Sequence, residues 1–156
     1  MVLNILTVRN QAELAVLQAP SQPVDVIDDI IDFCDDLIET MHSTENAAGL
    51  AAPQVGRNIC VFVMLNEVGE TFVVINPNIL WVDGMDNQLE GCLSIPGFAG
   101  KVNRPVCIGV SFYDVDGNKQ EMTLSGFEAR VFQHEFDHLA GILYATKATA
   151  LYCKRV

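Results

Sequence analysis

The chain has 156 residues, a length typical of one domain, and we expect a single domain across residues 1–156. Half of the residues are hydrophobic and 19% are charged, which indicates a globular protein and excludes a disordered one. The net charge of −11 repels phosphate groups and disfavours direct nucleic-acid binding. No apolar run reaches the roughly 18 residues of a membrane span, and the N-terminus lacks the features of a signal peptide. We therefore expect a cytoplasmic protein that binds neither membrane nor nucleic acid.

The first predicted element is an amphipathic helix over residues 25–42. Its apolar residues recur at helical spacing, and its acidic residues fall largely on the opposite face. A loop is predicted next, over residues 46–56, because small residues and Pro53 interrupt the pattern.

Strands are predicted in the middle of the chain. Short β-branched and aromatic runs at 58–65, 71–76 and 78–82 are separated by turn residues. Two further runs flank Asp116 and Gly117, which is a strong hairpin signal.

The last predicted helix has clear boundary signals. Ser125 and Glu128 have the spacing of a capping box, and Gly141 stands where a C-terminal cap is expected. The apolar residues that cover most of its circumference are Phe127, Val131, Phe132, Phe136 and Leu139. The order of elements predicts an α+β fold, in which strands of antiparallel or mixed sheets surround this buried C-terminal helix. The amphipathic helix lies nearer the N-terminus.

This helix carries QHEFDH at 133–138, with H-E-x-x-H spacing. Residues four apart project from the same face of a helix, so His134 and His138 can bind one metal ion. Glu135 flanks that position and can take a proton from bound water. The alternative is a pair of structural histidines bonded to the backbone, with Glu135 in a salt bridge. Burying these groups without partners would cost several kcal/mol, which favours the metal.

A catalytic metal site requires a third protein ligand and one open position. Cys153 is close to the end of the chain, and His42 ends a predicted surface helix. Cys92 is the better candidate, because a thiolate suits iron or zinc and the residue lies in a glycine-containing loop.

Three segments resemble the three motifs of the peptide deformylase family. They are GLAAPQ at 49–54, EGCLS at 90–94 and QHEFDH at 133–138. Their order and spacing also match, and the similarity extends over most of the chain. The resemblance implies a metal-dependent hydrolase that removes the formyl group from N-formylmethionyl nascent peptides and releases formate.

The resemblance also implies a set of ligands and a base. Cys92, His134 and His138 would bind one divalent ion, which is ferrous iron in the cell for most of the family. Zinc, nickel or cobalt can substitute. Glu135 would act as general base and then deliver the proton to the leaving amine.

Further roles follow from the same resemblance. The Leu93 backbone N–H and the Gln54 side-chain amide would stabilise the oxyanion. Gly49 and Gly91 would present backbone groups to a peptide that binds as an added strand. The remaining implied residues are Val131, in the methionine pocket, and the supporting ion pair of Glu90 with Arg104.

The sequence departs from the family pattern at several positions. Ala47 stands where the first motif has glycine, and Ala99 stands where a basic residue is common. Both bear on substrate preference. Gln88 and Arg130 are unusually polar for the surroundings of a methionine pocket. The tail LYCKRV lacks an extended basic helix, so ribosome association is doubtful.

Other functions remain open at this point. A divergent paralogue could bind metal and peptide with an altered substrate range or little turnover. An ordinary zinc endopeptidase would need a downstream ligand, and a structural metal site prefers four protein ligands. The residues that argue against the paralogue are Gln54, Cys92, Leu93, Glu135, His134 and His138.

Overall fold

Eight strands form the framework of the protein in the computed structural model, which describes residues 1–154. They are β1 (Gly49–Ala51), β2 (Val61–Leu65), β3 (Thr71–Asp83), β4 (Asp86–Cys92), β5 (Ile95–Arg104), β6 (Cys107–Tyr113), β7 (Lys119–Ser125) and β8 (Ala148–Cys153). One sheet has the order β1–β2–β3–β6–β7, and the other has the order β4–β5–β8. All of these pairings are antiparallel.

Four α-helices accompany the sheets within these residues. They are α1 (Gln11–Leu17), α2 (Ile31–His42), α3 (Gly126–Leu139) and α4 (Tyr144–Lys147), with 3₁₀ turns at Ile27–Ile30 and Ala52–Val55. Of the helices in the described part of the chain, none is long and apolar enough to cross a membrane. The predicted α+β class, with antiparallel sheets and a C-terminal helix, is confirmed.

The amphipathic helix begins later than predicted. Residues 25–42 were expected to be helical, but α2 begins at Ile31 after the 3₁₀ turn. Upstream, the side-chain amide of Asn76 bonds both the N–H and the C=O of Val24. This contact fixes Val24 against β3, upstream of the 3₁₀ turn and the helix.

The prediction of a loop over residues 46–56 was wrong. β1 lies inside this range, and its Gly49 pairs with Met64 of β2. The strands predicted at 71–76 and 78–82 are one strand, β3, with an irregularity in its pairing to β6 between Ile75 and Asn78. Asn76 sits in this irregularity with a φ of 51°, in the left-handed region that asparagine tolerates. The hairpin of β6 and β7 is confirmed.

The start of α3 differs from the predicted capping box. Ser125 is the N-cap residue, but its side chain makes no capping hydrogen bond. The Glu128 carboxylate instead accepts a hydrogen bond from the backbone N–H of Glu67. Phe127 was expected to be buried and is 70% exposed, because it faces the cleft described below.

The end of α3 is closed by Gly141, as predicted. This glycine has a φ of +74°. Its N–H bonds the carbonyl of His138, and the N–H of Ile142 bonds the carbonyl of Asp137. These two bonds form a Schellman motif, which satisfies carbonyls that the helix end would otherwise leave unpaired.

Phe132 anchors α3 in the larger core. Its side chain is fully buried, and its ring meets Phe62 of β2 edge to face at a centroid distance of 5.1 Å. Replacement by alanine should lower the free energy of unfolding by about 3–5 kcal/mol, because it removes buried surface and leaves a cavity. Urea denaturation would measure this loss. Phe127→Ala, on the same helix but exposed, should cost about 0.5 kcal/mol or less; equal losses would contradict the packing described.

Candidate active site

The three predicted metal ligands converge where β4 meets α3. Cys92 ends β4, and His134 and His138 lie one turn apart on α3. One ligand atom from each residue lies within 4.8 Å of the others. The Cys92 Sγ is 3.4 Å from the His138 Nε2. His42 bonds Thr71 instead, and Cys153 is exposed, so neither belongs to this group.

The orientation of His134 is fixed by the carboxylate of Glu90. His134 Nδ1 is 2.8 Å from Glu90 Oε1, which leaves Nε2 for a metal ion. Arg104 donates to both oxygens of the same carboxylate, and Arg130 donates to Oε2. Glu90 therefore accepts four hydrogen bonds, about as many as a carboxylate can hold.

Charges around Glu90 keep it ionised. Burial alone would raise the pKa of Glu90, but hydrogen bonds from His134 and Arg104 lower it from 4.5 to about 2. Arg104 also donates to Asp137 Oδ2 at 2.9 Å, and Lys147 Nζ lies 2.9 Å from the same oxygen. The cluster thus joins β4, β5, α3 and α4.

Glu135 projects into the site without a fixed partner. It is 4% exposed, and its Oε1 accepts no hydrogen bond from the residues that the structure describes. Burial raises the pKa of Glu135 to about 7, which suits a group that both takes and returns a proton near neutral pH. A methyl group at Gly49 would lie 2.8 Å from Glu135 Oε2, so the missing side chain makes room for this carboxylate.

The donor set fits a divalent transition-metal ion. Burial lowers the pKa of His138 well below its ordinary value, which favours the neutral imidazole that binds metal. A thiol and two imidazole nitrogens are the ligands that iron and zinc accept in proteins. The buried Glu135 oxygen beside them, unpaired within residues 1–154, is a polar atom that a metal-bound ligand would satisfy.

Gln54 is held with its amide NH₂ towards the metal site. It lies in the 3₁₀ turn after β1, and its Oε1 accepts the backbone N–H of Ala51 at 2.9 Å. Its Nε2 is 3.1 Å from Ser94 Oγ and 3.5 Å from Cys92 Sγ. Leu93 lies between Cys92 and Ser94, in the turn that joins β4 to β5.

A cleft of about 480 Å³ opens beside these groups. It runs between β1 and β4, each of which is an edge strand of its sheet. The predicted substrate-binding residues Gly49, Gly91 and Val131 line it, and so does Leu93.

The structure shows the surroundings of three positions at which the sequence departs from the family pattern. Among residues 1–154 the non-glycine residues with positive φ are Asn46 and Asn76, so Ala47 carries no strain of that kind. Ala99 is 5% exposed and pairs with Tyr152 of β8. Arg130 is buried, and its remaining bonds go to the carbonyls of Val102 and Asp86.

Sequence reasoning missed three parts of the site. It did not identify Ser94 beside Gln54 or Asp137 beside Arg104, and it noted Arg130 only as unusually polar. The one available signal was the charge of Asp137 and Arg130 on a helix expected to be buried, since buried charges are paired.

Comparisons with known proteins agree with this geometry. The sequence profile of the polypeptide deformylase family matches residues 2–152. The chain is 41% identical to peptide deformylase 2 of Clostridium acetobutylicum over 140 residues, covering 88% of this chain and 92% of that protein. It is 40% identical to peptide deformylase 3 of Shewanella oneidensis, covering 96% and 91%. The crystal structure of peptide deformylase from Thermotoga maritima superposes with a TM-score of 0.88 at 35% identity, covering 96% of this chain and 99% of that one.

The depressed pKa of Glu90 predicts a specific dependence of stability on pH. Its folded-state pKa of about 2 lies below the ordinary value of 4.5, so ionised Glu90 stabilises the fold above that value. This stabilisation is lost as the pH falls towards the folded-state pKa. Glu90→Gln should therefore reduce the change in unfolding free energy between about pH 5 and about pH 3, measured by urea denaturation. Glu70→Gln, at an exposed position, serves as control; an unchanged pH dependence in the Glu90 variant would contradict this reading.

Proposed function

Since the chain belongs to the polypeptide deformylase family, we propose that the site described above removes the formyl group from N-formylmethionyl peptides and releases formate. The observation that carries the proposal is the convergence of Cys92, His134 and His138 within 4.8 Å, beside the buried carboxylate of Glu135. These groups border the cleft that would hold the peptide.

Cys92, His134 and His138 would hold one divalent ion. We propose ferrous iron as the ion in the cell, with zinc, nickel or cobalt able to substitute, because thiolate and imidazole suit all four. When bound, such an ion would polarise the formyl carbonyl of the substrate and lower the pKa of a water molecule. Glu90, held by Arg104, keeps His134 in the orientation that binding requires.

Glu135 is the proposed general base and acid. Its carboxylate takes a proton from water as the water oxygen attacks the formyl carbon. It then gives that proton to the amide nitrogen as the C–N bond breaks, leaving a free amine and formic acid, which loses its remaining acidic proton to solvent and becomes formate. A pKa of about 7 supports both transfers near neutral pH.

Gln54 and Leu93 are the proposed oxyanion donors. The Gln54 amide is anchored by the Ala51 N–H, and its Nε2 faces the Cys92 thiol. The Leu93 N–H follows Cys92 directly in the chain. Donors fixed before the reaction stabilise developing charge without reorganisation, and each contributes about 10²-fold or more.

The peptide is proposed to bind as an added strand between β1 and β4. Unpaired strand edges offer backbone donors and acceptors to an extended peptide, and Gly49 and Gly91 lie on these edges. Val131 lines the cleft one turn before His134, where the methionine side chain would lie.

The domain organisation, the cellular location and the source of the substrate are also part of the proposal. We propose that residues 1–156 act as one catalytic domain in the cytoplasm and that nascent chains are the substrate. The tail on which the expectation about ribosome association rests includes two residues that lie outside the described part of the chain.

Metal binding and proton transfer should separate by mutation. Glu135→Gln should keep one metal ion per chain but lower kcat about 10²–10⁴-fold, because it removes the proton carrier and no ligand. Cys92→Ala should bind less metal, because it removes a proposed ligand, and its activity should fall as a consequence. Metal content by elemental analysis and formate release would be measured on the same preparations. If the Glu135 variant lost its metal and the Cys92 variant kept it, the proposed roles of Glu135 as proton carrier and Cys92 as metal ligand would be wrong.

Gln54→Ala should lower kcat about 10²-fold with little change in KM, because an oxyanion donor acts mainly in the transition state. The matched control is Gln120→Ala, which removes an amide on β7 that bonds Asp114. A loss confined to KM in the Gln54 variant would assign this residue to peptide binding instead.

A further inference from the structure

The ammonium of Lys154 reaches into the cleft over Gly91. The backbone N–H of Lys154 donates to the carbonyl of Gly97 at 2.8 Å, directly after β8 ends. From there the side chain extends across β5 towards β4, and a methyl group added at Gly91 would lie 3.1 Å from Lys154 Nζ. The absence of a side chain at Gly91 therefore leaves the space that this ammonium occupies.

Lys154 is the cation of the cleft that is available to a ligand. Within residues 1–154 its ammonium forms neither an ion pair nor a hydrogen bond, although it lines the cleft. The other cationic side chain in the lining is that of Arg130, which forms an ion pair with Glu90. The chain as a whole carries a net charge of −11, so its surface repels acidic peptides unless a local cation offsets that charge.

The location of Lys154 relative to the metal ligands indicates which part of a substrate it meets. Gly91 immediately precedes Cys92 on β4, an edge strand of its sheet. A peptide whose formyl carbon lies at the Cys92 thiol and that runs along this edge passes Gly91 with the residues that follow methionine. The N-terminus of such a peptide is formylated and uncharged, so its side chains carry the charge that Lys154 can sense.

We propose that Lys154 is a specificity residue that favours peptides with an acidic side chain at the second or third position. The inference rests on the proposed function, since it assumes that the formylated peptide occupies this cleft. An exposed ion pair contributes little, so the expected preference for glutamate over glutamine is about two- to fivefold in kcat/KM. It should appear mainly in KM and weaken as salt is added.

The test compares amidated formyl-methionyl tripeptides that carry glutamate, glutamine or lysine at the second or the third position. Formate release would be measured with the metal-loaded full chain and its Lys154→Met, Lys154→Arg and Lys119→Met variants. Lys119 lies on β7, outside the residues that line the cleft, and provides the matched loss of one positive charge.

The proposal predicts a glutamate preference at one or both positions in the parent chain. The preference should persist in Lys154→Arg and Lys119→Met and vanish in Lys154→Met. Hydrolysis of the glutamine peptides with no preference, or with a preference that Lys154→Met leaves intact, would overturn the role of Lys154 and leave the deformylase function standing. Release of no formate from any peptide would overturn both.

Discussion

The carboxylate of Glu90 connects the parts of the protein that the site depends on. It lies in β4, two residues before Cys92, with its side chain 5% exposed, and it accepts hydrogen bonds from Arg104, Arg130 and His134. An unpaired charge at this depth would be costly, whereas a fully bonded one fixes every group around it. The orientation of His134, a proposed metal ligand, is therefore set by a carboxylate outside the proposed set of ligands.

The site forms where both sheets pack on α3: the Glu90 cluster ties the smaller sheet to this helix, and Phe132 packs the helix against Phe62 of the larger sheet. The smaller sheet contributes Cys92 and Glu90, α3 contributes the two histidines and Glu135, and the turn after β1 contributes Gln54. Cys92 ends an edge strand and the histidines lie on one face of α3, so these side chains can face the cleft while packing holds the elements that carry them. The two sheets present their edge strands β1 and β4 to that cleft. The arrangement proposed to hold a metal ion thus also offers a peptide two strand edges.

The sequence predicted those features that depend on interactions between residues close together in the chain. The spacing of His134 and His138 follows from the helical repeat alone, and a hairpin signal needs only a few residues. Ligand chemistry made Cys92 the best candidate for a third ligand, but only the resemblance placed it at the histidines, because no local rule brings a residue 42 positions away to the helix. The contact of the Asn76 amide with Val24 and the hydrogen bond from Arg130 to Glu90 join distant segments, so no sequence periodicity predicts them. Strand β8 was missed for the same reason, since its pairing with β5 depends on the whole fold.

Deformylation by the thiolate and two-imidazole site is the central claim, and one measurement tests it most directly. The protein would be purified without oxygen, loaded with ferrous iron, and assayed for formate release from a formyl-methionyl tripeptide, with the acetylated peptide as control. Rapid release from the formyl peptide and none of acetate from its acetylated counterpart is the predicted result. A preparation that holds one metal ion per chain and releases no formate would contradict the account.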